Sequence, residues 1–365
     1  MRAGLQRSLS EAAARNGEAI RFAVGRLVLL LSKPLIEQQN RTLTPRQHLS
    51  GVHPTLSRFS NGLTSATVSA TTKNYDPIWR NFETARFKER RFQRIHAGGF
   101  QTVRINLQAF SHMDAANRLN PVWFTTLDWA VKNALANNLT VILDEHDYGV
   151  CGNDAERCKP RLMAFWEQVA EHYKDAPPSV LFELLNEPNG KLTPELWNAY
   201  LKEALAIVRK TNPKRNVIIG PASWNNIHYL DRLELPADDR NIIVTVHYYL
   251  PMEFTHQGAR WNAATANLSG IAWGTDAEKL RVTADFGGVQ QWSKAQNRPI
   301  LLGEFGAYDR GGADVDSRVR YTSYLARTAE SLGWAWTYWQ FDSDFIVYDM
   351  AKDDWVQPIW KALVP

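Results

Sequence analysis

From about residue 48 the chain alternates short β-rich runs with longer amphipathic stretches, and this alternation constrains its fold more than any other feature. The β-rich runs are 49–52, 102–107, 140–146, 180–186, 216–220, 242–249, 299–305 and 334–339. Several are continuously apolar, Val217-Ile218-Ile219 among them, as expected of strands covered on both faces of a parallel sheet. Helical patterns occupy 85–97, 123–137, 161–174, 194–210, 275–294, 315–331 and 355–363. Gly98-Gly99 stops the first, Thr193-Pro194 reads as an N-cap with a first-turn proline, and Thr275-Asp276-Ala277-Glu278 reads as a capping box. About eight strands with helices between them predict an α/β fold, a (β/α)8 TIM barrel over 46–365 with an N-terminal extension at 1–45. The rival is a doubly wound open sheet, which advertises a glycine-rich phosphate turn after its first strand. Neither GxGxxG nor GxxxxGK[ST] occurs.

Charge narrows the function. The net charge is +4, yet residues 1–50 hold 8 Lys/Arg against 3 Glu, so the remainder is close to neutral. A nucleic-acid reader needs a basic face on its folded domain, and none is expected here. No run of 18 or more apolar residues exists, so no membrane-spanning helix is expected. The best apolar run, 27–31 within 22–36, is interrupted by Arg26 and Lys33 and starts far from Met1, which makes a poor secretory signal. A helical or disordered extension is the other reading of 1–45. Fourteen Trp is high for this length. Most should be core, but a flat indole also packs well on apolar ring faces.

In a barrel, function sits at the C-terminal strand ends. Strand two carries Arg104 and Asn106, and strand three ends in Asp144-Glu145-His146-Asp147. Strand four ends in Asn186-Glu187-Pro188, strand six in His247-Tyr248-Tyr249, strand seven in Glu304 and strand eight near Trp339. Polar groups ending buried strands are costly unless paired or used. Glu187 and Glu304 would face each other across the barrel mouth. Glycoside hydrolysis needs such a pair, one carboxyl to protonate the leaving oxygen and one to attack the anomeric carbon. The alternative is two glutamates in rim salt bridges. The 250–275 stretch is long for a loop, as functional loops at that end tend to be.

Leu185-Asn186-Glu187-Pro188 and Leu302-Gly303-Glu304-Phe305-Gly306 resemble the signatures of glycoside hydrolase family 5, in a clan whose two glutamates end strands four and seven. The match extends to Val103-Arg104-Ile105, His146, His247-Tyr248-Tyr249 and Tyr338-Trp339. Phe254-Thr255-His256-Gln257-Gly258 and Val347-Tyr348-Asp349 are similar to segments of bacterial cellulases of this family. The resemblance covers about residues 85–365, with the motifs in order.

The resemblance implies a retaining endo-β-1,4-glucanase acting on cellulose or soluble β-glucan, with no metal and no cofactor. Glu304 would be the nucleophile, and Glu187 the acid and then the base. Arg104 and Tyr249 would hold Glu304, Asn186 would bond the sugar 2-hydroxyl, and His146 and His247 would complete the polar ring. Trp339 would be the aromatic floor, or plain core. Trp224, Trp261 and Trp273 lie in loops at the active end and are candidate sugar platforms. β-Mannan, xyloglucan and mixed-linkage glucan are alternative substrates. A monomer working outside the cytosol or in the periplasm is expected on substrate grounds.

The family's usual first-strand segment is replaced by Leu49-Ser50-Gly51-Val52-His53-Pro54, which leaves open whether His53 or Asn61 supplies its contacts. Cys151 and Cys158 are the only cysteines, so a local disulfide or two free thiols remain, with the disulfide favoured for an exported enzyme. A metal-dependent hydrolase using Asp144, His146 and His247 and a non-catalytic carbohydrate-binding barrel are the competing readings.

Overall fold

The computed structural model describes residues 50–52, 88–342 and 344–365, the first three by their backbone alone. The extension at 1–45, His53 and Asn61 lie outside them. Eight parallel strands close into a barrel in sequence order, β1 Ser50–Val52, β2 Thr102–Leu107, β3 Thr140–Glu145, β4 Val180–Glu183, β5 Val217–Ile219, β6 Ile242–His247, β7 Ile300–Glu304 and β8 Ala335–Tyr338. β1 pairs with both β2 and β8, which closes the ring.

β2, β3, β4, β6 and β7 are buried along their whole length. Alternation sorts their side chains. Val103, Ile105, Val141, Leu143, Val180 and Phe182 belong to the main apolar core, into which Trp123, Phe165 and Trp166 of the helices also pack. Arg104, Asp144 and Glu183 alternate with them, and Arg104 bonds both acids, so the three share the interior. The barrel is thus apolar outside, against its helices, and ionic within its upper half.

The helices start where side chains can satisfy their free N–H groups. Asn120 caps Pro121–Ala136, Asp154 caps Ala155–His172, Thr193 caps Pro194–Thr211 and Asp314 caps Val315–Ser331, each accepting from a first-turn N–H. Thr275 and Glu278 form the reciprocal capping box expected of them at Asp276–Gln296. Two outcomes differ most from expectation. Ala155–His172 begins six residues before the expected 161 and runs through Pro160, because the Asp154 cap comes earlier than the proline. After β5 the described residues hold no long helix, only a turn at Ala222–Asn225 and a 3-10 helix at Ile227–Arg232.

Six strands, β3 to β8, stop short of the expected ends, yet sheet-like bonds carry on past three of these ends. His146 N–H donates to Leu107 O at 2.9 Å, Asn186 N–H to Glu145 O at 2.8 Å and Trp339 N–H to Phe305 O at 3.0 Å. The residues at the barrel mouth are therefore held by sheet-like bonds although they lie just past the strands. Two buried indoles pin the floor beneath them, Trp166 donating to Leu184 O at 2.9 Å and Trp197 to Gly220 O at 2.8 Å.

Candidate active site

Arg104 organises one side of the barrel mouth. It is fully buried. Its Nε and Nη2 donate to the two oxygens of Glu183 at 2.6 and 2.8 Å, and Nη1 donates to Glu304 Oε1 at 2.9 Å. Nη2 also reaches Asn186 Oδ1 at 2.8 Å and Asp144 Oδ2 at 3.0 Å. Burial alone would lower the guanidinium's pKa, but three carboxylates outweigh it and hold that pKa above the usual arginine value. One cation thus serves three acids from three strands.

Glu304 ends β7 and is 4 % exposed. Its second oxygen accepts from Tyr249 OH at 3.0 Å. Between Val246 and His247 the β6–β7 register shifts, and His247 pairs with Glu304. Such an irregularity re-aims side chains at a strand end.

Glu187 stands in the left-handed region, at φ 43°. That conformation is unfavourable for a non-glycine residue by roughly 1–3 kcal/mol and persists only when its surroundings impose it. It ends the strand run and turns the side chain inward. Glu187 Oε1 lies 2.7 Å from His247 Nδ1, which is itself 3.5 Å from Glu304 Oε2. One oxygen of each glutamate and a His247 ring nitrogen all lie within 4.8 Å of one another. The two carboxyls are therefore neighbours in one groove, and Glu304 is at the same time ion-paired with Arg104. Those three donors could also ligate a cation, although hydrogen bonds already satisfy them.

The two acids differ in support. Burial pushes Glu187 up to about 7, against the pull of His146 and Arg104. Burial raises Glu304 too, opposed by His247 and Arg104. Glu304 accepts from a guanidinium and a phenol, whereas Glu187 has a single imidazole partner, so the charged form is better supported on Glu304. Burial also holds His247 near 4, so its ring is neutral. With Asn225 Nδ2 donating to Nε2 at 3.2 Å, the ring proton sits on Nδ1 and points at the glutamates.

His146 completes the ring. Its Nδ1 lies 2.6 Å from Asp144 Oδ2, and Asn106 and Asn186 approach its nitrogens at 3.1 and 3.4 Å. Burial pushes Asp144 up to about 8, against the pull of Arg104, and His146 down to about 4. Trp339 stacks parallel on His146 at 5.7 Å and is half-buried.

The sequence reading thus brings Glu187, Glu304, Arg104, His146, Asn186, His247, Tyr249 and Trp339 to one place. The peripheral tryptophans divide. Trp224 and Trp261 are 52 % and 57 % exposed. Trp224 sits in a turn of three left-handed residues and donates its N–H to Pro188 O at 3.2 Å, beside Glu187. Trp261 packs edge-on against Tyr308 at 4.9 Å. Trp273 does not fit the platform expectation. It is 2 % exposed, packed on Tyr321 and Tyr324, and belongs to the core. Glu183 and Asn225 were not singled out as site residues. Glu183 carries a readable signal, a lone acid in the apolar run Val180-Leu181-Phe182; Asn225 carries none.

Cys151 and Cys158 form a disulfide with Cα atoms 4.8 Å apart, joining helix Tyr148–Asn153 to helix Ala155–His172.

Comparison with known proteins shows the family. The family described as Cellulase (glycosyl hydrolase family 5) matches residues 65–344. Endoglucanase H of Acetivibrio thermocellus is 31% identical over 282 residues, 74% of this chain but 30% of that protein. Endoglucanase 3 of Fibrobacter succinogenes is 28% identical and matched over 40% of its length, so the chain spans well under half of these two relatives. Among solved structures, Thermotoga maritima Cel5A in complex with cellobiose superposes with a TM-score of 0.74 at 40% identity, over 76% of this chain and 90% of that one. The same enzyme in complex with mannotriose gives 0.78 at 36% identity, over 87% and 97%. The chain belongs to glycosyl hydrolase family 5.

Proposed function

We propose that the chain is a retaining endo-β-1,4-glucanase that cleaves cellulose or soluble β-glucan by double displacement. The observation that carries this reading is the unequal support of two carboxyls lying side by side. The short separation, one oxygen of each within 4.8 Å of the other, favours the close pair of a retaining site over the wider pair of an inverting one. Glu304, held by Arg104 and Tyr249, attacks the anomeric carbon. The glycosidic C–O bond breaks as Glu187 passes its proton to the departing oxygen. A glycosyl ester of Glu304 results, and Glu187 is left ionised. Glu187 then takes a proton from water, the resulting hydroxide adds to the anomeric carbon, and the bond to Glu304 breaks. The proton is back on Glu187 and neither step calls for a metal or cofactor.

The neighbours have supporting roles in this reading. Arg104 locks Asn186 Oδ1, so the amide nitrogen, which also approaches His146 at 3.4 Å, is the end turned to the sugar 2-hydroxyl. His146 and His247 present neutral rings around the −1 sugar, Trp339 is its floor, and Trp224 and Trp261 are outer platforms. A polymeric substrate and a disulfide support work outside the cytosol or in the periplasm. A second reading, β-mannan as substrate, is favoured by the mannotriose complex of the Thermotoga enzyme. Reducing-sugar release from carboxymethyl-cellulose, mannan and xyloglucan tests both. Fastest turnover of carboxymethyl-cellulose, with a rapid drop in viscosity, is expected; turnover of mannan alone would replace the first reading by the second, and release from none would remove both.

A further inference from the structure

We infer that Asn189 and the Cys151–Cys158 disulfide are positioning elements for Glu187, clamping the backbone that aims the acid. The inference rests on the assignment of Glu187 as acid and base. Glu187 holds its left-handed conformation by external restraint, and the restraint can be traced. The Asn189 amide Nδ2 donates to the Glu187 carbonyl at 2.8 Å, bridging the turn from within. The other end of the same amide rests on Gly152, where a Cβ would collide with Asn189 Oδ1. Gly190, at φ +59°, lies against the Gly152 carbonyl, with 2.6 Å left for a Cβ. The same carbonyl accepts the Lys191 N–H at 2.8 Å. Three consecutive residues of the acid loop therefore lean on one residue, Gly152.

Gly152 adjoins Cys151, and both cysteines are fully buried. Helix Tyr148–Asn153 has only six residues, too few to be stable unless tertiary contacts hold it. The disulfide bolts it to the 18-residue helix Ala155–His172. At its other end Tyr148 meets His146 edge-on at 5.3 Å. The bridge thus fixes a short, weak element between two parts of the site, and Asn189 transmits that fixing to Glu187. A bridge meant only for global stability would gain more by closing a long loop than a sequence separation of 7.

A misplaced acid has a kinetic signature that general loosening lacks. Protonation assists departure of a poor leaving group and is dispensable for a very good one. The test measures kcat/KM for aryl β-cellobiosides ranging from dinitrophenyl to phenyl. Wild type, Glu187→Ala, Asn189→Ala and the double variant Cys151→Ala/Cys158→Ala are compared. Asn189→Ala and the double variant should stay within about 3-fold of wild type on the dinitrophenyl substrate and lose about 10-fold or more on the phenyl substrate. Equal losses along the series, or none, overturn the inference. Should the double cysteine variant not fold, Asn189→Ala and wild type reduced with dithiothreitol answer the same question. If Glu187→Ala itself shows no leaving-group dependence, the acid assignment fails. If it does while the other variants do not, only the clamp fails.

Discussion

The guanidinium of Arg104, on β2, meets the carboxylate of Glu304, on β7, with Nη1 2.9 Å from Oε1, while its remaining nitrogens are occupied by Glu183, Asp144 and Asn186. The position of Glu304 is therefore set from across the barrel as well as by its own strand.

Removing Arg104 should accordingly damage the fold as well as the chemistry. Arg104→Leu strands three carboxylates in a sealed interior, and breaking a buried ion pair on one side costs about 3–5 kcal/mol. Urea unfolding should show that loss. Glu183→Gln, which keeps the shape and one acceptor for the guanidinium, should cost clearly less. Equal stability of Arg104→Leu and wild type would contradict the network's role.

Tyr249→Phe removes the hydroxyl donor to Glu304 Oε2 and little else. A hydrogen bond to a charged group is worth about 1.5–3 kcal/mol, and about 1.4 kcal/mol is tenfold in rate. The variant should lose roughly 10- to 100-fold in kcat/KM by that conversion, with a loss of stability no larger than that of one such hydrogen bond. Its acid limb should move to higher pH, because the ionised nucleophile loses a donor.

The pH profile follows from the direction of the Glu187 shift. Burial raises this acid to about 7, so the protonated form needed for bond cleavage dominates below that value and is lost above it. kcat/KM should fall above about pH 7. The acid limb belongs to Glu304, which must be ionised to attack. Glu187→Gln should abolish the basic limb together with most activity on unactivated substrates. A basic limb that survives in Glu187→Gln would assign it to another group.

The tryptophans separate by exposure. Trp224→Ala and Trp261→Ala should raise KM about 2- to 10-fold, in line with an aromatic contact worth about 0.5–1.5 kcal/mol, and leave stability intact. Trp273→Ala empties a core site and should cost about 3–5 kcal/mol of stability. Normal stability of Trp273→Ala would return that residue to the surface.

Much of this was legible in the sequence because barrel strands are buried on both faces, so polar residues at their ends stand out against apolar runs. Asn186, Glu187, His247 and Glu304 were visible that way. What was not legible depends on backbone conformation or distant partners. Nothing in Asn186-Glu187-Pro188 announces that Glu187 is left-handed, since the restraint comes from Asn189 and Gly152. Glu183 looked like part of a longer strand until Arg104 showed where its charge goes. Trp261 and Trp273 occupy the same long loop and differ only in whether Tyr321 and Tyr324 cover them. Pro160 reads as a helix breaker unless the cap at Asp154 is known to precede it.

The account stands most directly on which carboxyl bonds to the sugar. Incubation with 2,4-dinitrophenyl 2-deoxy-2-fluoro-β-cellobioside, followed by peptide mass spectrometry, reads this out. A single fluorocellobiosyl adduct on the peptide carrying Glu304, absent in Glu304→Ala, is the predicted result. An adduct on Glu187, or no adduct together with inversion at the anomeric carbon by proton NMR, would contradict it.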